Sequence, residues 1–244
     1  MIRLGTTILF AACLVLSACG GSHPTKPTPV PSATLSRTRF LAFGDSFTAG
    51  EVTAPIAGSP TSSHTLVVVP TASYPAVLQG RLQATYTAQA SSIAVINSGE
   101  PNERILDGNQ RFPSVFAANR PEVVLLMEGV NGLALVGPDI SAGVMRIMVQ
   151  AAKTGGARVF VGSMLPQVAG RPRAATPASE LVNYNATLQE MARQESVVFV
   201  DLYNAMAAEA ATLIGSDGLH PTEAGYRRIA DLFFAAIKAE LETR

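Results

Sequence analysis

Residues 39–244 are predicted to form a three-layer α/β/α domain, doubly wound around a parallel sheet of about five strands. Three observations predict it. Five apolar runs of about four to six residues, rich in β-branched side chains, recur along the chain and read as strands buried between helix layers. Longer stretches with helical spacing lie between them, an alternation that implies βαβ units. The chain of 244 residues is 48% apolar and 15% charged, which gives one sizeable domain its core and excludes general disorder.

The N-terminus reads differently. Arg3 is its lone charge, Ile8 to Leu16 is apolar, and Ser17-Ala18-Cys19 follows. That run is shorter than the ~20 residues of a spanning helix and has the proportions of a secretory signal, 1–18. Leu16-Ser17-Ala18-Cys19 also resembles the bacterial lipobox. The resemblance implies that Cys19 begins the mature chain and carries a diacylglycerol, which would tether the protein to the cell envelope. Gly20 after the cysteine leans, in a diderm, towards the outer membrane. An ordinary signal peptide with a cysteine near its cut is the plainer alternative. Residues 19–38, rich in Pro, Ser and Thr, read as an extended tether. Both cysteines, Cys13 and Cys19, lie in this leader, so the domain has neither a disulfide nor a cysteine metal site. Lys and Arg number 18, as do Asp and Glu, which argues against a nucleic-acid partner.

Strands are expected at 39–43, 93–97, 122–127, 158–163 and 197–201, each closing near Gly, Asn, Ser or Asp. Helices are expected at 74–86, after Ser73 and with Pro75 in the first turn, and at 141–154, with Val144, Ile147, Met148 and Ala151 on one stripe. Two more follow at 178–195 and at 222–243, the last opened by Pro221-Thr222. Residues 51–73 read as a Pro/Ser/Thr-rich surface loop.

Ligands of such sheets bind beyond the carboxyl ends of the strands. There the chain carries Gly44-Asp45-Ser46-Phe47-Thr48-Ala49-Gly50, Asn97-Ser98-Gly99, Glu128-Gly129-Val130-Asn131, and Asp217-Gly218-Leu219-His220-Pro221 ahead of the last helix. A serine hydroxyl needs a base to become a nucleophile. Of three histidines, His23 sits in the tether and His64 in the insertion. His220 follows Asp217 by three residues, close enough for the carboxylate to fix its tautomer. Ser46 lies between a strand and a helix start, where free N–H groups and the helix dipole favour negative charge. Taken singly, Ser46 reads as well as a helix cap, and Gly99 and Asn131 as turn residues. A P-loop, a dinucleotide turn and the Gly-x-Ser-x-Gly elbow are each missing.

Gly44-Asp45-Ser46-Phe47 together with Asp217-Gly218-Leu219-His220-Pro221 resembles the SGNH (GDSL) hydrolase superfamily over about residues 39–240. The resemblance implies a flavodoxin-like sheet and a serine esterase or lipase. It implies Ser46 as nucleophile, His220 as base and Asp217 as its orienting carboxylate. The oxyanion would be held by the N–H groups of Ser46 and Gly99 and by the Asn131 amide, with no metal or cofactor. Two departures stand out: Gly132 replaces the Asp of the third block, and Glu100-Pro101-Asn102-Glu103 lacks the second block's later glycine. These departures support an alternative, a non-catalytic envelope lipoprotein acting as a binding or scaffold domain; the retained Ser46, Asp217 and His220 argue against it. Substrates implied by the family are short-chain acyl esters, acetylated glycans and lysophospholipids.

Overall fold

The computed structural model describes residues 33–55 and 64–243. The expected signal peptide, Cys19 and most of the tether lie outside the described residues. Five strands form one parallel sheet: β1 (Arg39–Gly44), β4 (Ala94–Gly99), β5 (Val123–Met127), β6 (Arg158–Gly162) and β7 (Val198–Val200). Between β1 and β4, β2 (Glu51–Pro55) and β3 (His64–Val68) make a separate antiparallel hairpin. The sheet order is β4-β1-β5-β6-β7, the flavodoxin-like arrangement in which the chain steps first to one side of β1 and then to the other. Crevices open at that switch point, above the ends of β1 and β5.

Side-chain choice explains the layers. Phe40, Leu41, Ala42 and Phe43 of β1 and all of β5 are buried, because helices cover both faces. On one face α2 (Tyr74–Thr85) packs against α7 (Glu223–Leu241); on the other, α4 (Pro138–Thr154) packs between α3 (Ile105–Asn119) and α5 (Ala178–Glu195). A short α6 (Leu202–Ala207) follows β7. Tyr74 stacks on Phe233 at 5.2 Å, joining α2 to α7. Among the described residues no helix is long and apolar enough to cross a membrane.

The structure departs from the sequence reading in five places. β4 is an edge strand, and Ile96 is exposed on it rather than buried on both faces. Helix α3 was not anticipated, because Gly108 and Pro113 interrupt its pattern; Ile105, Gly108 and Phe112 nevertheless form its buried face. On α4 the buried stripe runs through Met145, Met148, Val149 and Ala152, and Ile147 points to solvent. The stretch 51–73 is a hairpin and a short 3₁₀ turn rather than only a loop. Finally, the folded unit starts before residue 39. Thr34–Leu35 pairs antiparallel with Glu242–Thr243, and Gln89 takes both backbone groups of Leu35, so residues 33–38 belong to the domain.

Candidate active site

The end of β1 is built for close approach. Gly44 lies between Gly99 and Met127 in the ladder, and a Cβ there would stand 2.0 Å from the Met127 carbonyl oxygen. The chain then turns out of the sheet. The Asp45 Oδ1 atom accepts the Phe47 N–H at 2.9 Å, which caps a single helical turn, α1 (Ser46–Ala49). One turn is too short for a macrodipole, so what this segment offers is free N–H groups. Gly50, at φ 93°, closes the turn with its N–H on the Ser46 carbonyl at 3.1 Å. That left-handed residue reverses the chain, and Glu51 comes straight back past the serine.

His220 is set by a second tight turn. Asp217 Oδ1 accepts the N–H groups of Leu219 and His220, both at 3.0 Å, and Gly218 takes φ 84°. The other oxygen, Oδ2, meets His220 Nδ1 at 2.6 Å. The opposite ring nitrogen, Nε2, stands 3.0 Å from Ser46 Oγ. Phe47 holds the ring edge-on at 5.9 Å, and Thr222 caps α7 immediately afterwards. Ser46, Asp217 and His220 are all buried, 174 residues apart in sequence for the Ser46–His220 pair. Burial pushes the Asp217 carboxyl up, but the hydrogen bonds from His220 and Leu219 outweigh it and hold it below the usual carboxylate range. It therefore stays charged opposite the imidazole.

Asn131 follows β5. One hydrogen of its amide goes to the Glu103 carbonyl at 3.0 Å, which leaves the second for a ligand. Gly132, the residue that departs from the family pattern, sits at φ 82°, a left-handed position that glycine takes without strain. A Cβ there would make only ordinary contact with Arg104, at 3.5 Å.

Gly99 differs from its expected role. In a parallel ladder alternate amides face alternate sides. Ala94 and Glu100 donate towards β1, so the Gly99 N–H points to the outer edge of the sheet, where it donates to Asn97 Oδ1 at 2.9 Å. Gly99 is instead a spacer, because a Cβ there would stand 2.0 Å from the Ala49 nitrogen. Three residues on, Asn102 at φ 63° is one of the second-block amides with no backbone acceptor among the described residues. Asn is the residue other than Gly that best tolerates that conformation. It stands in the stretch from which the later glycine is missing.

Beneath the turn lies a cluster that the sequence reading did not find. Arg111 forks onto Glu103 at 2.7 and 2.5 Å and lies over the Phe43 ring at 4.2 Å. Asp45 and Glu128 are fully buried beside this pair, each with one oxygen lacking a partner among the described residues. Burial, with the Glu103 charge adding to it, pushes the Asp45 carboxyl up to about 7 despite the Phe47 N–H. Burial and the Asp45 and Glu103 charges push Glu128 up as well. Both carboxyls thus hold protons in the folded chain at pH values where unfolded carboxyls, with ordinary values near ~4, have lost theirs. The folded state binds more protons in that window, so stability falls as pH rises from about 4 to 7. Glu128→Gln removes part of this burden. It is expected to raise Tm at pH 8 by about 2–4 °C, ~1 kcal/mol for a domain of this size. The gap should close near pH 4.5; thermal unfolding at the two pH values measures it.

Beside Asp217 opens a cavity of ≈ 660 Å³ lined by Thr53, Thr65, Ser216, Arg171 and Arg173 among others. Asp217 borders it, while Ser46 and His220 do not line it. Among the described residues no group of three or more His, Cys, Asp or Glu side chains is placed to hold a metal ion.

A family model described as the GDSL-like Lipase/Acylhydrolase family matches residues 42–228. Among solved structures, the lipase/acylhydrolase from Enterococcus faecalis is 23% identical, covers 85% of this chain and 98% of its own, and superposes with a TM-score of 0.68. A variant of an acetylxylan esterase from Geobacillus stearothermophilus is 21% identical over 83% of this chain and 94% of its own, with a TM-score of 0.64. A putative GDSL-like lipase from Parabacteroides merdae is 15% identical over 86% and 100%, with a TM-score of 0.67. At these identities the likeness is one of fold. No curated protein matches the chain.

Proposed function

This chain belongs to the GDSL-like lipase/acylhydrolase family and is a carboxylic ester hydrolase, and from that premise we propose that Ser46, His220 and Asp217 are its catalytic triad. The observation that carries the reading is the relay from Ser46 Oγ to His220 Nε2 at 3.0 Å and from Nδ1 to Asp217 at 2.6 Å. His220 takes the Ser46 proton as the oxygen attacks the ester carbonyl. The tetrahedral oxyanion is received by the Ser46 N–H, the second Asn131 amide hydrogen and the Asn102 N–H, the last in place of Gly99. His220 then protonates the leaving alcohol as the carbon–oxygen bond breaks. Water, deprotonated by the same imidazole, releases the acid and restores Ser46.

The substrate we propose is a short acyl ester of a polar alcohol, such as an acetylated sugar or a lipid headgroup ester. The hydroxyl- and arginine-lined cavity beside Asp217 supports a polar alcohol portion. The lipobox-like Leu16-Ser17-Ala18-Cys19 supports attachment to the cell envelope through Cys19. The test is labelling with a fluorophosphonate probe, followed by mapping of the modified peptide and a panel of esters graded in acyl length. Modification at Ser46 and fastest turnover of the shortest acyl groups are expected. An unlabelled Ser46 in folded protein would overturn the triad; a preference for long acyl chains would overturn the substrate class.

A further inference from the structure

Resting on the triad reading above, we propose that Glu51 is a second carboxylate of the proton-transfer machinery, holding the Nε2 proton of His220 in the interval before the leaving group takes it. Glu51 opens β2, directly after the left-handed Gly50. Its carbonyl accepts the Tyr226 hydroxyl at 2.6 Å, which fixes the backbone against α7. Its side chain is buried, and Oε2 stands 3.2 Å from His220 Nε2. That oxygen has no hydrogen-bond donor among the described residues, which place His220 Nε2, a donor once it is protonated, within reach. Nε2 thus faces two oxygens, Ser46 Oγ at 3.0 Å and Glu51 Oε2 at 3.2 Å.

The consequence follows from charge. When the ring is neutral, its Nε2 lone pair accepts the Ser46 hydroxyl and faces the Glu51 carboxylate repulsively. When Ser46 has given up its proton, the ring is an imidazolium with Asp217 on one nitrogen and Glu51 on the other. The proton stays on Nε2 until the ester bond breaks, when the N–H bond breaks and an O–H bond forms on the leaving oxygen; Glu51 accepts a hydrogen bond and gains no proton. Glu51 therefore favours the protonated ring over the neutral one. Other charged or titratable groups face this centre. Asp45 on the α1 turn acts on His220 through space, and Tyr226 on α7 lies against Glu51. Arg171 and Arg173 line the cavity at Asp217. A change of the side chain at residue 51 keeps the backbone carbonyl that accepts the Tyr226 hydroxyl.

The pH dependence of fluorophosphonate labelling at Ser46, measured from pH 5 to 9 on the full chain, tests this directly. In Glu51→Gln and Glu51→Ala the acid limb of the labelling profile is expected to move down by about one pH unit. The plateau above pH 8 is expected to fall roughly tenfold, so that the curves converge below pH 6. Thermal unfolding checks that each variant is folded. Glu51→Asp keeps the charge and all backbone bonds; with the carboxylate withdrawn by one methylene, its limb should move the same way by less. This variant carries the test where the neutral ones unfold. A uniformly lower profile with an unmoved acid limb overturns the assignment of Glu51 and leaves the triad standing. A wild-type chain that is not labelled at any pH overturns the triad reading itself.

Discussion

Replacing Ser46 by Ala is expected to lower turnover of a short acyl ester by about 10⁴–10⁶-fold and to leave the fold intact. Among the described residues, the hydroxyl oxygen that is removed makes one hydrogen bond, to His220 Nε2 at 3.0 Å. The turn itself is held by other atoms: Asp45 Oδ1 on the Phe47 N–H, and the Gly50 N–H on the Ser46 carbonyl. Alanine keeps all of these. Tm should therefore change by no more than about 2–4 °C, the equivalent of ~1 kcal/mol in a domain of this size. His220→Ala is expected to cost a similar factor in rate. The double variant should be little worse than either single one, because nucleophile and base act as a unit and their losses do not add. Steady-state kinetics on purified protein, paired with thermal unfolding, measures both. A Ser46→Ala protein that keeps wild-type turnover would remove the nucleophile from the site.

Gly99→Ala is expected to produce a large structural effect for a single-methyl change near the site. The new Cβ would stand 2.0 Å from the Ala49 nitrogen and 2.5 Å from the Thr48 carbonyl carbon, both backbone atoms that cannot swing aside as a flexible side chain can. Either β4 or the nucleophile turn must move. Overpacking of this kind costs about 3 kcal/mol, or about 6–12 °C in Tm for a domain of this size. The variant also separates two roles for the residue. Alanine retains the amide N–H, so a residue needed only as a hydrogen-bond donor would tolerate the change. A residue needed for spacing would not, and the folded fraction should label slowly at Ser46 because α1 is displaced. Wild-type stability with wild-type labelling would contradict the spacer role.

Much of the molecule is legible without coordinates. The five β-branched runs mark the five strands of the sheet to within one or two residues, since a strand covered on both faces has no polar side to blur its pattern. The edge strand β4 departs most, because one flank has no neighbouring strand to cover it. Ser46, Asp217 and His220 stand out because each lies in a short run with a glycine at its turning point, and local turns are encoded locally. Helix α3 escaped detection because Pro113 and Gly108 count against a helix in isolation, while the packing of Phe112 on Phe43 at 5.0 Å depends on residues far away in sequence.

Other features depend on which side of a strand an atom faces. The direction of the Gly99 amide follows from ladder register, and register is set by pairing with β1 rather than by the residues of β4 alone. Glu51 read as the first residue of a polar loop. Only the reversal at Gly50 and the docking of Tyr226 bring its carboxylate to within 3.2 Å of His220. The buried trio of Asp45, Glu103 and Glu128 is likewise assembled from three separate segments, and the raised carboxyls of Asp45 and Glu128 arise chiefly from desolvation, which no single segment possesses before folding. The sequence by itself thus determined the layer order and the chemistry of the residues at the strand ends, because periodicity and turn residues act over short range. The tertiary structure alone decided which amides and carboxylates face the serine, because burial, register and charge proximity exist only once distant segments have met.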